Sequence, residues 1–363
     1  MTATALSRFD ATLTRLGVVL APDGSPNEIE GVLNPAGVRD RDGRYVLYPR
    51  CVAAGNVSRV GRAIGEPGAA EALAFVRDGY ALEPEAPYEL RPPSTGGMGC
   101  EDPRVTFVPV LDRYVMCYTA FGPLGPRVII AVSHDAHTWE RLGMVDFSGA
   151  GSATGDDKDA AFFPEPVHSP NGVLSLAFYH RPMLHISTVD GRSAVPRILD
   201  LSPHDRESIR IAYVPLDAVQ RDITNLLNVT ESVIVLAPDG AWGRVKTGGG
   251  TPPVRIEEGW LSLYHGVDAL EVDGRYVMTY SAGFVVHDID RPHIVRYRSH
   301  APVLVPEGRD ELHGVVSNVV FPTAIDTLGE RRFDVYYGMA DARIGCVRLE
   351  LAPARSAADE TAA

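Results

Sequence analysis

RYVMCYTAF, residues 113–121, is a β-type apolar run that breaks abruptly into polar residues. Four other stretches echo it: RYVLYPR (44–50), LSLAFYHR (174–181), LSLYHG (261–266) and FDVYYGMAD (333–341). Their key tyrosines, Tyr48, Tyr118, Tyr179, Tyr264 and Tyr337, recur about every 60 to 85 residues, a spacing that means repeated supersecondary units rather than one continuous sheet. Five such units predict an all-β fold, a five-bladed β-propeller with its polar strand ends gathered around one central cavity.

Composition agrees with that reading. The 363 residues suffice for two ordinary domains or one large all-β domain. Repeats running nearly end to end favour one catalytic domain over residues 1–354, followed by a small, polar, disordered tail at 355–363. The 35 glycines and 28 prolines suit many short strands joined by turns and argue against a helical protein. A formal net charge of −13 disfavours nucleic acid as a partner, because phosphate backbones need a basic surface. Cys51, Cys100, Cys117 and Cys346 form no CxxC pair, and Cys117 reads as a small core residue. The N-terminus lacks the basic start and apolar run of a signal peptide, and no stretch approaches a membrane span. The expectation is a reduced, cytoplasmic protein with no membrane partner; self-association is left open.

Along the chain, a lead-in with one strand at residues 16–20 gives way to strands separated by Gly, Pro and Asp turns. Asp42-Gly43, Pro238-Asp239-Gly240 and Asp273-Gly274 mark such turns. Ser133-His134-Asp135 through Thr138-Trp139 reads as a structural hairpin of the Asp-box kind. His134 and His137 have metal-like spacing but no third ligand nearby, so no metal is expected. Residues 183–209 break the repeat rhythm and read as a long insertion beside the third signature. Residues 216–227 read as one short helix. The final strand, 343–351, is placed to pair with the N-terminal strand and close the ring.

Four clusters carry candidate chemistry. Gly99-Cys100-Glu101-Asp102-Pro103-Arg104 packs two carboxylates and an arginine before a strand. Adjacent side chains of a strand point to opposite faces, so Glu101 and Asp102 cannot do the same job. One aims at the cavity while the other pairs with Arg104; the alternative is a surface turn with a weak ion pair. Asp156-Asp157-Lys158-Asp159 places a lysine among acids able to neutralise it. Tyr179-His180-Arg181-Pro182 ends a tyrosine strand at the expected cavity mouth. Gly248-Gly249-Gly250-Thr251-Pro252-Pro253 lacks the ending of a P-loop and reads instead as a turn bringing backbone near the cavity. Tyr264-His265-Gly266 and Asp341 end two more tyrosine strands, as plain strand-end polarity or as sugar contacts with an aromatic face for a pyranose. No GxSxG elbow supports a serine hydrolase.

Taken in order, these pieces resemble glycoside hydrolase family 130. The matching elements are Asn34-Pro35-Ala36, Tyr48 to Arg50, Gly99 to Arg104, Arg127 ahead of the strand at 128–133, and Lys158-Asp159 before Phe163-Pro164-Glu165. They continue through His180-Arg181-Pro182, Gly248 to Pro253, Tyr264 to Asp268, Asn318 to Pro322, and Tyr336-Tyr337-Gly338 with Asp341. The resemblance implies inverting cleavage of β-mannosides, linked 1,2 or 1,4, on a five-bladed propeller. Its general acid falls on Asp102, acting through a hydroxyl of the mannose. It implies phosphate binding by Arg127, Lys158 and Arg181, with His180 as a helper. Sugar contacts are expected from Asn34, Arg50, Glu101, Arg104, Tyr264, His265 and Asp341.

Physics separates the two activities of such a family. An inverting hydrolase needs a second carboxylate to deprotonate water on the far face of the sugar. A phosphorylase needs cations to hold an anion that is already charged. Three cations favour phosphorolysis, with inorganic phosphate as co-substrate, α-mannose 1-phosphate as product and no other cofactor. The rivals are an inverting β-mannosidase and a non-catalytic carbohydrate-binding propeller. The insertion at 183–209 is longer than the family pattern and lies where it can reshape the acceptor site.

Overall fold

A computed structural model describes residues 9–353 except 69–70, 93–94, 152–154, 187–192, 239 and 241. The expected tail at 355–363 and the turn residue Asp239 lie outside the described residues. Among those described, the fold is all-β, with 22 strands and three short α-helices.

Four sheets form in chain order. The first is long and consists of two antiparallel groups. Gly31–Arg39, Tyr45–Ala53, Val57–Glu66 and Ala74–Leu82 make one group; Met98–Val108, Arg113–Gly122, Gly125–Ser133 and Glu140–Met144 make the other. Among the described residues only a short parallel pairing joins them, Val57 opposite Met98 and Ser58 opposite Gly99. The next sheet is built on Asp157–Phe162, Leu174–Pro182, Ile209–Pro215 and Glu231–Leu236, and the third on Lys246–Gly249, Gly259–Val272, Arg275–His287 and Val295–Arg298. The last runs Val320–Gly329, Arg332–Met339, Arg343–Leu351, and takes its fourth strand, Ala11–Leu20, from the other end of the chain. The lead-in strand is thus longer than residues 16–20, because its alternating pattern continues along Arg343–Leu351.

Five apolar clusters are each shared between two neighbouring groups. Tyr48, Val60 and Leu82 meet Tyr118 and Ile129; Val128 and Ile130 meet Phe162 and Phe178; Tyr179 and Tyr213 meet Trp260 and Tyr264. Leu263 and Phe284 meet Val335 and Leu349, and Tyr45 and Leu47 meet Tyr336 and Ile344. All five signature tyrosines are at most 2% exposed, so they anchor these seams rather than line a cavity. Two phenols reach buried carboxylates: Tyr118 donates to Glu89 at 2.5 Å and Tyr337 to Glu311 at 2.7 Å.

Residues 183–209 include the helix Val195–Leu199 and a 3-10 turn at Pro203–Asp205. Residues 216–227 form a helix, Leu216–Arg221, and then a 3-10 turn, Ile223–Leu227, capped by the Asp222 side chain. The Asp-box hairpin is structural: Asp135 accepts from the backbone of His137 and Thr138 at 2.7 and 2.8 Å.

Candidate active site

The first strands of the groups pack against one another, and three of them break in the same way. The ladder slips between Leu33 and Ala36, between Glu101 and Arg104, and between Lys158 and Ala161. At each bulge a non-glycine residue takes a left-handed conformation: Asn34 (φ 42°), Asp102 (φ 47°) and Asp159 (φ 60°). Bulges re-aim side chains, and left-handed backbone at Asn or Asp is tolerated where the surroundings fix it. All three side chains line one cavity of about 160 Å3.

One wall of this cavity carries Asn34, Arg50, Asp102 and Asp341. Asp102 accepts from Asn34 at 3.0 Å and from Arg50 at 3.1 Å, while the same guanidinium holds Glu101 at 2.7 Å. Burial alone would raise the Asp102 pKa, but Arg50, Lys158 and Arg104 and the Asn34 bond outweigh it, holding the carboxyl below its ordinary value. Asp341 goes the other way: burial, reinforced by the negative charge of Asp102, pushes it up to about 6 against Arg50 and Lys158.

The other wall carries Lys158, Asp159, Arg181, Lys246 and His265, with Tyr280 and Phe321. Arg181 donates to Asp159 at 2.7 Å and also pairs with Glu207, which the 183–209 segment supplies. Burial opposes ionisation of Asp159, yet the cations Arg181, Lys158 and Arg104 hold its pKa far below the ordinary range. Burial then pushes His265 down to about 3, against the attraction of Asp159 3.9 Å away, so its ring is neutral. A side chain at Gly248 would run into His265 and Asp159, which explains the glycine run there: the backbone must come this close.

The acids flanking Lys158 do not neutralise it. Asp156 pairs with Arg127 and with His185 at 2.8 Å; Asp157 takes His180 at 2.7 Å; Asp159 takes Arg181. Among the described residues, neither Lys158 nor Lys246 forms an ion pair with a carboxylate.

Of the residues expected from the sequence, Asn34, Arg50, Asp102, Lys158, Arg181, His265 and Asp341 come together around this cavity. Five do not. His180 lies on the opposite strand face from Arg181, its ring stacked on Phe147 and its nitrogens engaged by Asp157 and Ser232. Arg127 is held by Asp156 away from the lining. Arg104 is 1% exposed and donates to the carbonyls of Gly250, Asp102 and Pro103, so it clamps the backbone of the bulge and does not line the cavity. It does not pair with Glu101 or Asp102 side chains; both of those share Arg50. Tyr264 packs on Trp242 and accepts from Arg298 at 3.0 Å. Glu101 lines an adjoining cavity of about 490 Å3, which shares Arg50 and Lys158 with the first and is bordered by Phe121, Met183 and His185.

Lys246, Tyr280 and Phe321 were not foreseen. Nothing around Lys246 in the sequence marks it locally. A global signal does: the chain has 34 lysines and arginines, and only Lys158 and Lys246 are lysines.

A family model described as beta-1,4-mannooligosaccharide phosphorylase matches residues 217–352. A 1,2-beta-oligomannan phosphorylase of Thermoanaerobacter sp. (strain X514) is 28% identical over 346 residues, covering 92% of this chain and 95% of the relative. A beta-1,2-mannobiose phosphorylase of the same organism is 30% identical over 298 residues, covering 81% of this chain and 78% of the relative. The chain belongs to glycoside hydrolase family 130. Among solved structures, the beta-1,2-mannobiose phosphorylase of Listeria innocua in complex with beta-1,2-mannobiose superposes with a TM-score of 0.68 at 20% identity, over 93% of this chain and 96% of that one. That likeness supports the shared fold. Among the described residues, no helix is long and apolar enough to cross a membrane.

Proposed function

We propose that this member of glycoside hydrolase family 130 is an inverting β-mannoside phosphorylase, acting on 1,2- or 1,4-linked β-mannosides and releasing α-mannose 1-phosphate. The observation that carries the reading is that Lys158 and Lys246, neither ion-paired with a carboxylate among the described residues, lie beside Arg181 in the cavity that Asp102 also lines. With an overall charge of −13 repelling phosphate, anion binding must be local. In this reading the five antiparallel groups are five blades of one domain spanning residues 1–354, closed by the pairing of the first and last strands. The protein works in the cytoplasm, where a charged sugar phosphate is retained.

Phosphate sits on Lys158, Lys246 and Arg181 and attacks the anomeric carbon. A new C–O bond to phosphate forms on one face as the glycosidic C–O bond breaks on the other, inverting the centre. Asp102 supplies the proton to the leaving oxygen, by way of a mannose hydroxyl. The surrounding cations keep Asp102 ionised; phosphate bound to those cations offsets them and raises its pKa. Phosphate thus both attacks and primes the acid. Asn34, Arg50 and Asp341 hold the mannose, and the adjoining cavity takes the departing sugar beside Phe121, Met183 and His185. No step requires an organic cofactor or a metal.

The hydrolase alternative needs a basic carboxylate on the cation wall. Asp159 and Glu207 are both bound by Arg181, and a carboxyl held as low as Asp159 is a poor proton acceptor. A panel of β-linked mannobioses, incubated with and without orthophosphate, tests the reading. Sugar phosphate formed only with orthophosphate is expected. Brisk release of free mannose in phosphate-free buffer makes the protein a β-mannosidase, and sugar binding without product under either condition makes it a carbohydrate-binding propeller.

A further inference from the structure

Arginine supplies every cationic side chain of this chain except two, and both lysines line the same cavity. The distinction is chemical. A guanidinium stays protonated and is no nucleophile, whereas an amine that sheds its proton attacks carbonyl carbon. Lys246 lies on the short strand Lys246–Gly249, with its Nζ 5.5 Å from the centroid of the Tyr280 ring. The charged and titratable groups around it are Tyr280, Arg181, Lys158, His265 and Asp159. It lines the cavity beside the cations that attract an anion.

We propose that Lys246 is a covalent modification site, acylated at Nζ by acyl phosphates that enter through the phosphate site. Such a reagent is a mixed anhydride of the anion the cavity is built for, with its acyl carbon one bond beyond a phosphate oxygen. An amine close enough to bond that oxygen is therefore next to the carbon. The Nζ lone pair attacks the acyl carbon, and the C–O bond to phosphate breaks. Orthophosphate leaves with the electron pair and carries off the amine proton, leaving an amide on Lys246. Nothing is oxidised or reduced. Lys158 and Arg181 hold the phosphoryl group as it departs. The environment helps: burial, with Arg181 and Lys158 nearby, lowers the Lys246 pKa despite Tyr280, increasing the share of free amine. The amide removes one charge from the cation wall, so acylation weakens phosphate binding. The enzyme would then be switched off when acyl phosphate is abundant relative to orthophosphate.

This inference rests on the phosphate-site reading, but its test does not depend on turnover. The full chain is incubated with acetyl phosphate, with and without orthophosphate, and the acetylated residue is located by peptide mass spectrometry. Acetylation at Lys246 is expected, slowed at least about tenfold once orthophosphate exceeds its dissociation constant by that factor. Lys246→Arg should remove the label at that position while Lys158→Arg keeps it, with melting curves checking that both variants fold. Label confined to the N-terminal amine, label on Lys158 with Lys246 unmodified, or label on Lys246 at a rate indifferent to orthophosphate overturns the proposal. Phosphate-protected acetylation in a protein that makes no sugar phosphate upholds the modification site and refutes the catalytic reading. Phosphorolysis without acetylation does the reverse.

Discussion

Arg50 and Lys158 line the same cavity, yet Arg50 is locked between Glu101 and Asp102 while Lys158, among the described residues, has no carboxylate of its own. The contrast extends to the walls they belong to. Around Arg50 the one cation is satisfied within the protein by two carboxylates, and what remains is a fixed frame of hydrogen-bonding groups suited to sugar hydroxyls. Around Lys158 each neighbouring aspartate is consumed by a different partner, and two ammonium groups are left over. A wall that satisfies itself can position a neutral ligand; a wall left with net positive charge needs an anion to complete it.

The sharpest way to break this division is Asp102→Asn. It is expected to lower kcat by about a thousandfold, within the usual range for a general acid, while the melting temperature stays near that of the parent. If Asp341→Asn is the variant that falls so far and Asp102→Asn is not, the proton donor is Asp341. Next come Lys158→Met and Lys246→Met. Each should raise KM for phosphate by roughly ten- to a hundredfold, the worth of one charged hydrogen bond, with much less effect on KM for the mannoside. Equal effects on both constants would erase the distinction between the walls.

A smaller effect concerns stability. The Asp341 pKa is raised in the fold to about 6, against about 3.9 in an unfolded chain. Its contribution to stability is therefore complete below about pH 4 and lost as pH rises through about 6. Asp341→Asn should be more stable than the parent above that range, by on the order of 2–3 kcal/mol, with the gap closing in acid. Thermal melts across pH check this; a gap that does not change with pH would mean the buried charge is not its cause. The smallest effect is expected at Tyr264→Phe. It should cost about 1 kcal/mol through the lost bond to Arg298 and leave KM for the mannoside unchanged.

That last case shows what the sequence could convey. The five tyrosines were legible as a repeat because each occupies the same place in the second strand of its group. Their direction was not, since a tyrosine before a polar strand end looks the same whether it faces a seam or a ligand. His180 and Arg181 illustrate the same limit: period-two alternation allows only one of two neighbours into the cavity. Asp102 and Lys158 stood out because charge is dense around them. Lys246 sits in an unremarkable Arg-Val-Lys-Thr context, and only the rarity of lysine across the whole chain marks it. The parallel bulges were half visible, as Asn34-Pro35 and Asp102-Pro103, but Asp159 carries no proline to announce its own.

The pairing of Ala11–Leu20 with Arg343–Leu351 sets a condition on biosynthesis. Thr14 lies opposite Arg348 and Ala11 opposite Leu351, so the strand Ala11–Leu20 has its partner only once Arg343–Leu351 has been translated. Until then this edge is open, and so distant a pairing along the chain cannot form. Chains released early, before Arg343–Leu351 has emerged, would carry that open edge into the cell as a template for aggregation.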